Sequence, residues 1–181
     1  MTVKETKLKG CFVIEPQVFK DKRGYFVENY NQKAFNKALG IDVEFVQDNE
    51  SQSSKGVLRG LHYQLGQYAQ AKLVRVIKGK VLDVVVDLRS NSTTFGEHFT
   101  IELSEQNKTQ LFVPRGFGHG FLVLEDETIF SYKCDNFYNK EAEAGILYND
   151  ENLAIDWKFL EEDLIISDKD LLLPTFKNAR L

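Results

Sequence analysis

Residues 72–87, KLVRVIKGKVLDVVVD, constrain the fold of this chain more than any other stretch. Leu73, Val74, Val76 and Ile77 lead into Lys78-Gly79, a turn signal. Beyond it Leu82, Val84 and Val86 share one face, and Asp83, Val85 and Asp87 share the other. Alternation with period two and many β-branched residues makes strands. Residues 100–104, 110–113 (ahead of Pro114), 121–123 and 129–132 repeat the pattern. Residues 31–39 read as a helix instead. Ala34, Phe35, Ala38 and Leu39 stand at helical spacing, Asn31 suits the N-cap, and Gly40 closes the segment. A second helical stretch is expected around 160–164. Many short strands with glycine-bearing turns in 181 residues predict a mainly β fold in a single domain, a sandwich or small barrel with a few short helices. Jelly-roll barrels of this size leave a ligand cavity between their sheets.

Composition narrows the function classes. The net charge of -4 argues against general nucleic-acid binding. Residues 1–120 hold 17 Lys/Arg against 13 Asp/Glu, a balance of +4, whereas residues 121–181 hold 6 against 14, a balance of -8. An anion site is therefore expected to draw its cations mainly from the first two thirds, and the acidic end also reads as a solvated surface. Cys11 and Cys134 stand far apart with no CxxC pattern, and are expected to be free, buried thiols in a reducing compartment. No apolar run resembles a signal peptide or approaches the ~20 residues that span a bilayer. The expectation is a cytoplasmic protein with no membrane association.

Polar residues that interrupt strand-like runs carry the chemistry, because burying a polar group without a partner costs roughly 1–3 kcal/mol. In VLRGLHYQ, Arg59 and His62 flank Gly60, which permits close approach of another backbone or of a ligand. His62 reads either as a hydrogen-bonded core histidine or as an acid–base group. In FVPRGFGHGF, the P-x-G-x-x-H spacing up to His119 resembles the second motif of metal-binding cupins. The chain has only 3 histidines, His62, His98 and His119, so a His-rich metal site is not favoured, although carboxylates could complete one. Arg23, ahead of Gly24, can approach a phosphate or sit in a charged surface turn before an edge strand. Tyr132 is a strand tyrosine that can act as an acid if something holds it near a reacting carbon. Asp168 and Asp170 around Lys169 form a polar loop or orient a histidine. Neither GxGxxG nor a Walker motif occurs, so no redox or nucleotide cofactor is signalled.

Taken together, the blocks FKDKRGYFVE at 19–28, FVQDNES at 45–51, SSKGVLRGLHYQ at 53–64, AKLVRVIKG at 71–79, DVVVDLRSNSTTFG at 83–96, LFVPRGFGHGF at 111–121, YKCDNFY at 132–138 and ISDKD at 166–170 resemble the dTDP-4-dehydrorhamnose 3,5-epimerase family. The resemblance runs from about residue 12 to 174. It implies a metal-free, cofactor-free, cupin-type jelly roll that works as a homodimer. It also implies action on a dTDP-4-keto-6-deoxy sugar in dTDP-L-rhamnose synthesis, as for lipopolysaccharide O-antigen. By the same resemblance His62 is the base, Asp170 its partner, Tyr132 the acid, and Lys72 the lysine beside the substrate ketone. Arg23, Glu28, Gln47, Asn49, Arg59, His119, Glu143 and Lys169 match nucleotide- or sugar-contacting positions, and Tyr138 an aromatic of the same pocket. Departures such as Gly66-Gln67, Gly118 and Lys158 touch none of these positions. An enzyme inverting only one carbon of a related keto sugar is the alternative.

Overall fold

The computed structural model describes residues 1–181. Along the chain lie β1 (Thr2–Glu5), β2 (Phe12–Glu15), β3 (Val18–Asp21), β4 (Gly24–Val27), α1 (Gln32–Leu39), β5 (Gln47–Ser53), β6 (Val57–Gln64), β7 (Lys72–Lys78) and β8 (Lys80–Asp87). They are followed by β9 (His98–Ser104), β10 (Gln110–Val113), β11 (Phe117–Val123), β12 (Thr128–Cys134), β13 (Glu143–Gly145), β14 (Ile165–Ile166) and α2 (Asp168–Leu171). One sheet has the order β1-β2-β10-β7-β12-β5, and the other β13-β6-β11-β8-β9 with β14 added beside β6. This is a cupin-type jelly-roll sandwich. β3 and β4 form a separate hairpin.

The core explains the layering. Val74, Val76, Leu111, Val113 and Phe130 from the first sheet meet Val81, Val85, Leu103, Phe117, Phe121 and Val123 from the second. The opposite face of the second sheet is also apolar. Leu58, Leu61, Val84, Val86 and Leu122 are covered there by Ile146, Tyr148, Leu153 and Trp157 of the C-terminal segment. Phe35 and Leu39 of α1 cover Leu73 and Phe112 on the outside of the first sheet. Burying each such side chain contributes roughly 1.5–3 kcal/mol.

The alternation over 72–87 has the structure's parity, but Lys78-Gly79 is not a hairpin turn. β7 and β8 belong to different sheets, and Gly79 is the corner between them. Its φ is +79°, and a Cβ there would stand 2.3 Å from Thr128 Oγ1. The helix forms as expected: Asn31 Oδ1 accepts from the Ala34 N–H, and Gly40 ends it with φ 67°. The second helical expectation is corrected, since 160–164 forms only a 3₁₀ turn over Glu161–Asp163. Asp163 and Leu164 bond back three residues, to the Leu160 and Glu161 carbonyls, and the Ile165 N–H leaves to pair with Gly56. No helix is long and apolar enough to cross a membrane. Cys11 and Cys134 are free and buried, as expected, and burial pushes their thiols up to about 12 and about 11.

Candidate active site

Two compartments open between the sheets, of about 560 and 290 Å³, and His62, Lys72 and Tyr132 line both. These three side chains therefore stand where the compartments meet. Arg59, His119, Lys169 and Asp170 belong to the larger one. Gln47, Asn49, Tyr138 and Glu143 belong to the smaller.

His62 comes from β6 in the second sheet. In an unbroken strand Arg59 and His62, three apart, would point to opposite faces. The pairing of β6 with β11 shifts register between His119 and Phe121, and that irregularity lets both line the cavity. Glycine is required here. Gly60 has φ +120°, and a Cβ on it would stand 2.6 Å from Gly120 Cα and 2.8 Å from the His119 carbonyl oxygen. The close approach made possible by Gly60 is thus to another backbone.

Asp170 reaches His62 across 108 residues of sequence, with Oδ1 and Nε2 2.7 Å apart. β14 lies parallel to the start of β6, pairing Ile165 with Val57 and Ile166 with Leu58. The chain then turns into α2, where the Ser167 hydroxyl caps the Asp170 N–H. Asp170 Oδ2 also accepts from the Gly60 N–H at 3.2 Å. Burial acts to raise the Asp170 carboxyl's pKa, but the His62 ring, the Gly60 N–H and the Lys169 charge hold it below the usual range. The His62 side chain keeps 31% exposure against 5% for Asp170. His62 is therefore held by a buried carboxylate while remaining open to the cavity.

Tyr132 comes from β12 in the opposite sheet, on the same face as Phe130. Its hydroxyl has no protein partner, and burial first, then Cys134 and Glu143, raises its pKa while Arg59 opposes. It stays protonated at neutral pH, as an acid must. Lys72 Nζ stands 5.8 Å from the Tyr132 ring centroid. Burial lowers the Lys72 pKa against the pull of Cys134, Asp83 and Glu143. At the rim, Glu143 accepts from Tyr138 Oη at 2.9 Å and from Lys169 Nζ at 2.6 Å. Gln47 and Asn49 project from β5, where Asn49 is the register partner of Tyr132. Arg59 and Lys72 come from the basic part of the chain, as the charge split predicts, but Lys169 comes from the acidic end.

Two expected contacts are not brought together within one chain. Arg23 sits at the exposed tip of the β3–β4 hairpin, ion-paired with Asp21, and lines neither compartment. Glu28 lines a separate hollow of about 590 Å³ on the outer side of the first sheet, where His62 is absent. His119 is 6% exposed and its Nε2 is 2.9 Å from Asp83 Oδ2. Asp83 was not singled out by sequence; its signal was a carboxylate interrupting an apolar strand. No group of three or more His, Cys, Asp or Glu side chains is arranged to hold a metal ion.

A cupin-type sandwich equipped to remove and return protons on a small ligand is the class that this fold and cavity define. A model of the dTDP-4-dehydrorhamnose 3,5-epimerase family matches residues 5–178, and the chain belongs to that family of isomerases. It is 53% identical over 179 residues to the dTDP-4-dehydrorhamnose 3,5-epimerase of Shigella flexneri, covering 99% of this chain and 98% of the relative. The crystal structure of the enzyme of that name from Elizabethkingia anophelis superposes with a TM-score of 0.95 at 57% identity, covering 98% of this chain and 97% of the other. A dTDP-6-deoxy-D-glucose-3,5-epimerase from Legionella pneumophila, in complex with dTDP-4-keto-L-rhamnose, gives 0.94 at 45% identity, with 98% and 93% covered.

Proposed function

We propose that this chain epimerises dTDP-4-dehydro-6-deoxy-D-glucose at carbons 3 and 5, giving dTDP-4-dehydro-L-rhamnose. The observation that carries the residue roles is that His62 and Tyr132 come from opposite sheets and face the same cavity. A sugar ring bound between them meets a base on one face and an acid on the other, which inversion requires.

The 4-keto group acidifies the hydrogens on carbons 3 and 5, because the resulting carbanion delocalises into an enolate. His62 removes the proton and becomes imidazolium, and Asp170 stabilises that charge while fixing the ring. Lys72 stabilises the enolate oxygen; losing such a donor typically costs ~2.7–4 kcal/mol. Tyr132 then delivers its hydroxyl proton to the other face of the carbon, and both groups reset with solvent. Arg59 and Lys169 face the diphosphate, and Gln47, Asn49, Tyr138 and Glu143 the nucleoside and sugar. No cofactor takes part.

The active form is a homodimer of single-domain subunits. The exposed aromatic residues of the β3–β4 hairpin, Phe19, Tyr25 and Phe26, support a partner contact there. Arg23 and Glu28 would then meet substrate at the partner's cavity. Two free thiols support a reducing, cytoplasmic setting. The test couples this protein to a rhamnose-forming reductase with NADPH, starting from dTDP-4-keto-6-deoxyglucose in D₂O. Deuterium at both carbons of the product is expected. Label at one carbon only would make the chain a single-carbon epimerase.

A further inference from the structure

Asp83 lies in the apolar run of β8, with its side chain fully buried between the sheets. Its Oδ2 is 2.9 Å from His119 Nε2. Its Oδ1 is sealed from solvent and has no hydrogen-bond partner. A half-satisfied buried carboxylate destabilises a fold. Valine, as at Val81 and Val85 on the same face, would carry no such penalty.

The setting of His119 suggests what offsets that penalty. It is the register partner of His62 on β6 and lines the same compartment as His62, Lys72 and Tyr132. Its ring lies against Phe130, with centroids 6.1 Å apart and planes 22° apart. With Nε2 held by Asp83, only Nδ1 remains for a ligand. Two His–Asp pairs thus stand side by side, and they differ in access. The His62 side chain is 31% exposed and can exchange protons with solvent, whereas that of His119 is 6% exposed. Burial raises the Asp83 carboxyl's pKa, opposed by His119 and Lys72.

We propose that Asp83 is a positioning residue for the epimerisation, holding His119 in the Nε2–H tautomer so that Nδ1 is a fixed acceptor for a sugar hydroxyl. The proposal rests on the epimerase reading for its kinetic consequence, but not for the tautomer. With the acceptor fixed, the keto sugar is aligned before proton transfer, so the effect falls on turnover rather than on nucleotide affinity.

The test uses ¹⁵N-labelled full chain, wild type and Asp83→Asn, with long-range imidazole spectra at pH 8; three histidines keep them assignable. Turnover of dTDP-4-keto-6-deoxyglucose and calorimetric binding of dTDP accompany the spectra. The wild type should show His119 as a single Nε2–H tautomer, and Asp83→Asn should mix tautomers. The variant's kcat should fall by at least ~30-fold with KM within about threefold, the pattern of a lost transition-state contribution. Unchanged dTDP affinity verifies its fold. A wild-type Nδ1–H tautomer, or a folded variant with kcat within about twofold of wild type, overturns the proposal. A wild type that binds dTDP but makes no product counts against the epimerase reading, while the tautomer still decides the role of Asp83. If Asp83→Asn does not fold, the wild-type spectrum decides alone.

Discussion

Replacing Asp170 by asparagine tests the His–Asp pair most sharply, because the carboxylate accepts two hydrogen bonds that an amide cannot both replace. Asp170 takes His62 Nε2 at 2.7 Å on one oxygen and the Gly60 N–H at 3.2 Å on the other. Asparagine has one acceptor and one donor group. If its oxygen stays on Gly60, its NH₂ faces His62 Nε2, which must then accept. The ring proton moves to Nδ1, and no basic nitrogen faces the substrate. If the oxygen faces His62 instead, the NH₂ meets the Gly60 N–H, and a buried donor goes unpaired at a cost of about 1–3 kcal/mol. Either way the charge that stabilises imidazolium is gone. The wrong tautomer dominates, and in a comparable His–Asp arrangement that loss is about 10⁴-fold in kcat. We expect ~10³–10⁴, or about 4–5.5 kcal/mol at 1.36 kcal/mol per decade, with KM little changed. The reductase-coupled assay reads this directly, and solvent deuterium entry at carbons 3 and 5 should slow in parallel. An Asp170→Asn enzyme within tenfold of wild-type kcat, or one impaired only in KM, would refute the dyad.

Tyr132→Phe should still wash substrate protons into solvent but yield no inverted product, by NMR in D₂O; normal turnover would remove Tyr132 as the acid. Lys72→Ala should lose rate far more than binding, by roughly 10²-fold or more in kcat; a change confined to substrate affinity would make Lys72 a diphosphate ligand. Gly60→Ala combines positive φ with a backbone collision and should lower stability by at least ~3 kcal/mol, and activity with it, because Arg59 and His62 flank the position. Gly66→Ala, with φ +56° and no atom within 4 Å, should lose only about 1 kcal/mol in the same denaturation series; equal losses would show that the contact with Gly120 is not limiting. The Asp87 carboxyl is raised by burial but brought down to about 2 overall by hydrogen bonds from Arg89, Ser92 and Thr94. A folded pKa below the unfolded one adds stability above about pH 4 and loses it as pH falls toward 2, about 2 kcal/mol in all. Asp87→Asn should therefore melt ~4–8 °C lower at pH 7, with the gap closing between pH 4 and 2; a gap independent of pH would reject this account.

The local elements were legible because their causes are local. Alternation across 72–87 set which side chains share a face, and Asn31 and Gly40 set the ends of α1. The chemical inventory was legible too, since His62, Tyr132, Lys72 and Asp170 stand in recognisable blocks. β5, QDNESQS, escaped the alternation argument because its cavity side is polar and its other side faces solvent. β11 was seen only at its end, 121–123, because Gly118 and Gly120 have no strand propensity. Gly120 is there so that β6 and β11 can approach closely, since a Cβ on it would stand 2.8 Å from the Arg59 carbonyl oxygen.

The sequence by itself determined the strand faces, the helix ends and the supply of acid, base and cation. Only the tertiary structure decided that Lys78-Gly79 is a corner between sheets, that His62 meets Asp170 while His119 meets Asp83, and that Arg23 lies outside its own chain's cavity. The reason is physical. Alternation records which face a residue takes but not which strand lies opposite. A histidine's carboxylate partner is selected only when the sandwich closes and excludes the water that would otherwise solvate both.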